Sequence, residues 1–310
     1  MEKIKMIPFK KGFNLIDKAH IDTVKQRFLR ISDAIEKSYY CDNFIKRRHS
    51  YFVGSYGRNT AINTSDIDVM VVLPNDVKKQ FDGHKGNGKS HLLQDIRETI
   101  LKTFPNTKIR ADGQVVVVDF TDGMKFEVLP GFDQGEGAYR HPDTHDGGSW
   151  KLTYPFLEQS AMQEINRQCN GLLYDTCRYI RYIRDECFND MKLSGIVIDS
   201  FVFQYTSPYE WADNKNPSNQ ISLCDYVQYL RNQCIKFKQD VNDNLVLAPG
   251  AMDLIPAEDS YECLFQVLCE WLYLEKANDK YAINSLKVTK GEPLLLNYTG
   301  ETIWPAVLRF

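Results

Sequence analysis

Two carboxylates one residue apart, in Asp66-Ile67-Asp68, open the apolar run Val69-Met70-Val71-Val72-Leu73, and a glycine-serine pair, Gly54-Ser55, precedes them within fifteen residues. In an extended chain successive side chains alternate between faces, so Asp66 and Asp68 project together while Ile67 enters the core. Two oxygens so placed suit Mg²⁺, which takes one or two protein carboxylates and fills its remaining positions with water and phosphate oxygens. In Val53-Gly54-Ser55-Tyr56-Gly57-Arg58-Asn59-Thr60 the two glycines permit a tight turn whose amides, with the Ser55 hydroxyl, can approach a phosphate. Either half alone also reads as a hairpin with exposed acids; joined, they specify a phosphate and a cation together.

A two-metal centre needs a third carboxylate, and the sequence offers Glu127 in Lys125-Phe126-Glu127-Val128-Leu129-Pro130. This run follows Val115-Val116-Val117-Val118-Asp119-Phe120 and the turn Thr121-Asp122-Gly123, the pattern of a hairpin. Glu127 faces opposite to Phe126 and Val128, so a strand adjoining the first would set it beside Asp66 and Asp68. Asp119 is the rival, although its place near the turn also suits a capping or solvated acid.

Positive charge is offered by Arg178, Arg181 and Arg184, whose three-residue spacing places them on neighbouring positions of a helix, as either a phosphate-facing or a solvated basic edge. His141 and His145, with Asp143 and Asp146, suggest a metal site by composition only, because a loop cluster lacks ligand geometry. Gly83-His84-Lys85-Gly86-Asn87-Gly88-Lys89-Ser90 fits the P-loop pattern letter for letter, with Val115 to Asp119 as its acidic strand. A P-loop needs a buried strand feeding it, and Asp76-Val77-Lys78-Lys79-Gln80-Phe81-Asp82 is too polar for one. Capping of a helix opening at Ser90 accounts for the same residues.

The elements that must position these groups follow from periodicity. Residues 14–40 carry Ile21, Val24, Phe28, Ile31 and Ile35 on one helical stripe, predicting a long first helix that braces both lobes. Strands are expected near 50–53, 67–73, 115–120 and 124–129, with a helix from Ser90 to Thr103. Beyond Pro155 strand signals fade, and 157–189, 194–206, 222–238 and 258–278 read as helices. The expected fold is α+β: a mixed-sheet core over residues 1–155 and a helical lobe over 156–310.

The chain has 310 residues, with 38 Lys and Arg against 41 Asp and Glu for a net charge of −3, so it lacks the basic footprint of a dedicated nucleic-acid binder. The run Lys46-Arg47-Arg48-His49 is short. No apolar stretch suffices to span a bilayer and the N-terminus lacks a signal-peptide core, which predicts a cytoplasmic protein. The 8 cysteines show no Cys-x-x-Cys spacing and read as reduced thiols.

Gly54-Ser55, Asp66-x-Asp68 and an acid ahead of a hydrophobic pair and proline at Glu127 resemble the polymerase-β-like nucleotidyltransferase superfamily. Within it the chain resembles the CD-NTases, bacterial relatives of cyclic GMP-AMP synthase and oligoadenylate synthase. Gly148 to Pro155, Arg178 to Ile183 and Leu193-Ser194-Gly195 are similar to that family's downstream pattern, so the resemblance spans roughly residues 10 to 206. Two departures stand out: Glu127 replaces the Asp of many members, and Ile196 lies where some animal relatives carry a base-stacking aromatic.

The resemblance implies two Mg²⁺ ions, replaceable by Mn²⁺, held by Asp66, Asp68 and Glu127. It further implies nucleotide contacts from Gly54 and Ser55, and from Arg178 and Arg181 facing the cleft, with Lys151 and Ser194 as weaker candidates. Nucleoside triphosphates would serve as donor and acceptor, giving a cyclic di- or trinucleotide that activates a separate effector in anti-phage defence. Three other classes stay open: a nucleotidyltransferase acting on RNA, protein or a small molecule, a P-loop NTPase, and a non-catalytic nucleotide-binding module.

Overall fold

The computed structural model describes residues 6–40, 49–211, 222–240, 245–250 and 254–284. Cys41 and the run Lys46-Arg47-Arg48 lie outside them. Helix α1 (Lys18–Tyr39) starts where the Asp17 side chain accepts a hydrogen bond from the His20 amide, and it buries Val24, Phe28, Ile31 and Ile35. That is the apolar stripe expected from the sequence, with Ile21 at its margin.

Strand β1 (Ser50–Phe52), the short turn of helix α2 (Gly54–Gly57) and strand β2 (Ile67–Val72) follow. Helices α3 (Asn75–Asp82) and α4 (Gly88–Thr103) lead into strands β3 (Lys108–Asp112), β4 (Val115–Asp119) and β5 (Lys125–Asp133). The sheet order is β1-β2-β5-β4-β3, with β6 (Tyr139–Asp143) pairing the end of β5 and β7 (Ser149–Thr153) pairing β6. All pairings are antiparallel except β2 with β5, which run parallel in a register that sets Asp68 opposite Glu127. Ile67, Val69, Val71, Phe126 and Val128 therefore turn to one face, where they pack with α1 and α4. The acids, two-residue alternates of these, turn to the other.

Beyond β7 come α5 (Pro155–Gln168), α6 (Leu172–Cys187), α7 (Gly195–Thr206), α8 (Leu223–Asp240), the small hairpin of β8 (Leu245–Leu247) and β9 (Leu254–Pro256), and α9 (Glu258–Asn284). They enclose a second apolar cluster around Tyr179, Phe201, Tyr226 and Trp271. The segment ahead of α1 joins this cluster: Phe9 lies 4.7 Å from the Trp271 ring and Phe13 5.0 Å from the Tyr179 ring. The N-terminal region thus reaches both cores, the sheet through α1 and the helices through Phe9 and Phe13.

Several elements depart from expectation. The helix expected over 157–189 breaks in two at Asn170 (φ 53°) and Gly171 (φ 93°), a left-handed pair that the α-helix cannot continue through. Strand β3 escapes the sequence because it is a polar edge with only Ile109 buried. The β6–β7 hairpin stands where a glycine-rich loop was expected. Residues 75–82 form a helix, so the P-loop pattern has no strand before it, and Asn87 accepts from the Ser90 amide as the cap of α4. Among the described residues no helix is long and apolar enough to cross a membrane, and Cys169, Cys177, Cys187, Cys224, Cys234, Cys263 and Cys269 are free thiols.

Candidate active site

The parallel pair β2–β5 brings Asp68 and Glu127 side by side, with Asp66 at the mouth of β2. Against them lies α2. The Val53 amide donates to the Asp68 carbonyl at 2.9 Å, which fastens the turn to the strand. Gly54 takes φ +56°, and a Cβ there would stand 1.9 Å from Asp68 Oδ2. Only glycine lets this backbone lie against the carboxylate. Gly57 is equally confined, since its Cβ would meet the Phe52 carbonyl at 2.7 Å. Ser55 is half-buried in the same turn, whose leading amides have no intrahelical carbonyl partner.

Electrostatics set this cluster apart. The Asp68 carboxyl is pushed up to about 7, first by burial and then by the neighbouring Glu127, while Arg58 pulls the other way and Asp66 adds to the push. The Lys125 ammonium lies 2.7 Å from Asp66 Oδ2 and 2.9 Å from Glu127 Oε1. Burial disfavours its charge, but the hydrogen bonds to Asp66 and Glu127 outweigh that and raise its pKa. The rival acid Asp119 is paired with Arg110 on the adjacent edge strand. Glu127 is the acid that joins Asp66 and Asp68.

The cations are distributed otherwise than the helical spacing suggested. Arg181 faces no cleft: it is 1% exposed and directs both terminal nitrogens into the core. There it donates to Asp199 Oδ1 at 2.7 Å, to Asp199 Oδ2 and the Gly195 carbonyl, both at 2.9 Å, and to the Cys177 carbonyl at 3.2 Å. Its place on the inner stripe of α6, opposite a fully buried Asp199, accounts for this. Burial disfavours ionisation of Asp199, yet Arg181 and Arg58 outweigh it and hold the carboxyl below the ordinary range.

Arg178 also has committed donors, to the Phe13 carbonyl at 3.1 Å and the Asn59 carbonyl at 2.7 Å. It lines a cavity of about 250 Å³ with Asn14, Lys25, Phe52 and Tyr56, on the α1 side of the turn. Lys151 is exposed on β7 and paired with Asp143, which also accepts from His145 and Gln114 beside the β3–β4 turn. That is the end of the sheet away from Lys125, because Asp119, at the far end of β4, is the residue opposite Lys125. Ser194 is the N-cap of α7, accepting from the Val197 amide. Arg184 pairs with Asp185 and the Leu193 carbonyl. Lys151, Ser194, Arg178 and Arg181 thus all have structural partners other than the three acids.

Two residues of the site were not singled out from the sequence. Lys125 stands two positions before Glu127, a same-face signal that alternation could have revealed. Arg58 follows the Gly54-Ser55 turn and is 6% exposed. It donates to Asp199 Oδ2 at 2.8 Å and to Glu158, while Thr60 donates to the same Asp199 oxygen at 2.9 Å. Its partners lie 100 and 141 positions away, where no local pattern reaches. Among the described residues no three His, Cys, Asp or Glu side chains group closely enough to hold a metal ion by themselves, the His141-His145 region included. In the acid cluster, Lys125 stands between Asp66 and Glu127.

Known proteins place this geometry. Over 163 residues the chain is 26% identical to the Cyclic AMP-AMP-AMP synthase of an Acinetobacter species, covering 52% of this chain and 47% of that one. The match therefore spans about half the length of the curated relative. The fold is similar to that of the Elizabethkingia meningoseptica CdnE cyclic dinucleotide synthase, with TM-score 0.57 and 16% identity over 81% of this chain and 91% of that one. It is also similar to the STING-associated CdnE c-di-GMP synthase from Capnocytophaga granulosa, with TM-score 0.59 and 14% identity over 86% and 84% of the two chains. At such identities the likeness is one of fold, the α+β polymerase-β-like nucleotidyltransferase core with its helices. Residues 12–166, which carry the Gly54-Ser55 turn and all three acids, match the model of the Second Messenger Oligonucleotide or Dinucleotide Synthetase domain, and the chain belongs to that family.

Proposed function

We propose that the protein joins nucleoside triphosphates into a cyclic di- or trinucleotide, releasing pyrophosphate at each bond. Asp68 opposite Glu127 in the parallel β2–β5 pair, with Asp66 just ahead of β2 on the same Lys125 ammonium as Glu127 and the Gly54-Ser55 turn against Asp68, carries this reading. A set of carboxylate oxygens that leaves room for water and phosphate oxygens fits Mg²⁺, or Mn²⁺ in its place. Asp66 and Asp68 would hold the ion that meets the donor phosphates, and Glu127 would share the second. Bound magnesium supplies positive charge to the phosphates and acidifies the acceptor ribose hydroxyl.

The chain's own groups do the positioning. The turn at Gly54 and Ser55 offers its amides and hydroxyl to the triphosphate, and its seat against Asp68 sets phosphates and carboxylates in register. The acceptor oxygen then bonds to the donor's α-phosphorus as the bond to the bridging oxygen breaks and pyrophosphate departs. Residues 1–155 form the catalytic core in this reading and 156–310 the lobe that closes on it. Named relatives make cyclic products, one of them from three adenylates. An effector switched on by the product, a role in anti-phage defence and action in the cytoplasm extend the same reading.

The test is incubation of the pure protein with labelled nucleoside triphosphates and Mg²⁺ and no other acceptor, followed by mass spectrometry of phosphatase-resistant products. A cyclic oligonucleotide is expected, absent with Asp66→Asn or Asp68→Asn. Product only after addition of RNA, protein or a small molecule would redirect the reading to another acceptor. Binding without pyrophosphate release would mark a non-catalytic module.

A further inference from the structure

Lys125 is set among the acids by the same alternation that sets Glu127 there. The two residues share one face of β5, beside the face of β2 that carries Asp68, with Asp66 just ahead of that strand. An exposed lysine paired with one carboxylate is a loose and nearly worthless contact. Here one ammonium, on a side chain 29% exposed, is held by two carboxylates from two strands, at 2.7 Å and 2.9 Å. The third acid, Asp68, lies opposite Glu127 in the strand register. The other cation nearby, Arg58, is committed to Asp199 and Glu158, and Arg110 across the sheet to Asp119. Lys125 is therefore the cation that bridges Asp66 and Glu127, while Arg58 is the larger opposing charge on Asp68.

We infer that Lys125 is a resident counter-ion of this centre: its ammonium sits between Asp66 and Glu127, and loading of a divalent cation onto these acids would be an exchange that displaces it. The inference rests on the reading of the three acids as metal ligands. Lysine suits such a role. Its ammonium is a compact, strongly hydrated charge on a flexible stem, so it can leave for water, whereas an arginine fork would grip the carboxylates and stay. The lysine keeps Asp66 and Glu127 together without metal and weakens metal binding, since a divalent ion meets carboxylates already offset by the ammonium charge.

The test titrates Mn²⁺ alone, without nucleotide, into the full chain at pH 8, following free Mn²⁺ by electron paramagnetic resonance. Lys125→Met is expected to bind Mn²⁺ about tenfold more tightly than wild type, equivalent to about 1.4 kcal/mol. The same variant should melt below wild type without metal, and the gap should close once Mn²⁺ is added. Lys125→Arg, which keeps the charge and the fold if the methionine variant does not fold, should bind Mn²⁺ several-fold more weakly. A purely structural lysine would not make metal binding tighter on removal. Unchanged or weaker binding by Lys125→Met, or wild-type binding by Lys125→Arg, overturns the inference while Asp68→Asn still loses Mn²⁺. Wild-type Mn²⁺ binding by Asp68→Asn overturns the metal reading itself.

Discussion

Gly54 and Asp68 share a contact that admits no side-chain atom, and the smallest change there should be costly. Gly54→Ala would place a methyl 1.9 Å from Asp68 Oδ2 on a backbone at φ +56°, so the turn or the carboxylate must move. A displacement of about 1 Å among positioning groups is worth about 10²-fold in rate. Product formation should fall by that order while far-ultraviolet circular dichroism stays native. Asp68 also gives the protein a pH signature. Its carboxyl holds its proton up to about 7 in the folded chain, chiefly because it is buried, against 3.8 for an ordinary aspartate. Between those values the folded state binds more protons than the unfolded one, so this group lowers stability as pH rises from about 4 to about 7. Melting temperatures of metal-free protein at pH 4.5 and 7.5 should show that loss, and Asp68→Asn should flatten it; an equal slope in both proteins would assign the effect elsewhere.

At the scale of elements, the decisive feature is the buried ion cluster in which Asp199 of α7 holds Arg181 of α6 and Arg58, just beyond α2, with Glu158 of α5 on the far side. Through Arg58 this cluster seats the Gly54-Ser55 turn on three helices of the second core. Removing one partner of a buried pair leaves the other charge uncompensated, at a cost of about 3–5 kcal/mol. Arg181→Ala should therefore show its loss in urea unfolding, with nucleotide affinity unchanged in the fraction that remains folded. A selective loss of triphosphate binding at unchanged stability would return Arg181 to the phosphate site. The left-handed Asn170-Gly171 corner is a second device of this scale, turning α5 into α6 so that both pack on the same cluster.

At the scale of the whole molecule, the chain joins an α/β sheet layer to a helical core, and the acids lie on the sheet face away from α1 and α4. The P-loop pattern at Gly83 to Ser90 takes no part in that arrangement. Its Lys89 reaches Asp82 at 3.1 Å beside the Trp150 ring. Lys89→Ala should leave triphosphate consumption within about twofold of wild type, since its partners are Asp82 and Trp150 rather than the acid cluster; its abolition would bring the P-loop back.

The acids were legible because their signal is local. Alternation puts Asp68 on one face of β2, with Asp66 two positions ahead of it, and Glu127 on the matching face of β5 whatever lies around them, and the glycines of the turn announce a backbone that must come close. Helical periodicity likewise announced the buried stripe of α1. The fates of the arginines were not legible, because Arg58, Arg178 and Arg181 carry the same charge in sequence whether they face phosphate, carboxylate or core. Tertiary contacts across 141 positions in the case of Arg58 and Asp199 decided that, since burying a charge is tolerable only where folding delivers its partner. The pairing of β2 with β5, a parallel contact with the whole of α3, α4, β3 and β4 between its strands, decided where Lys125 would stand.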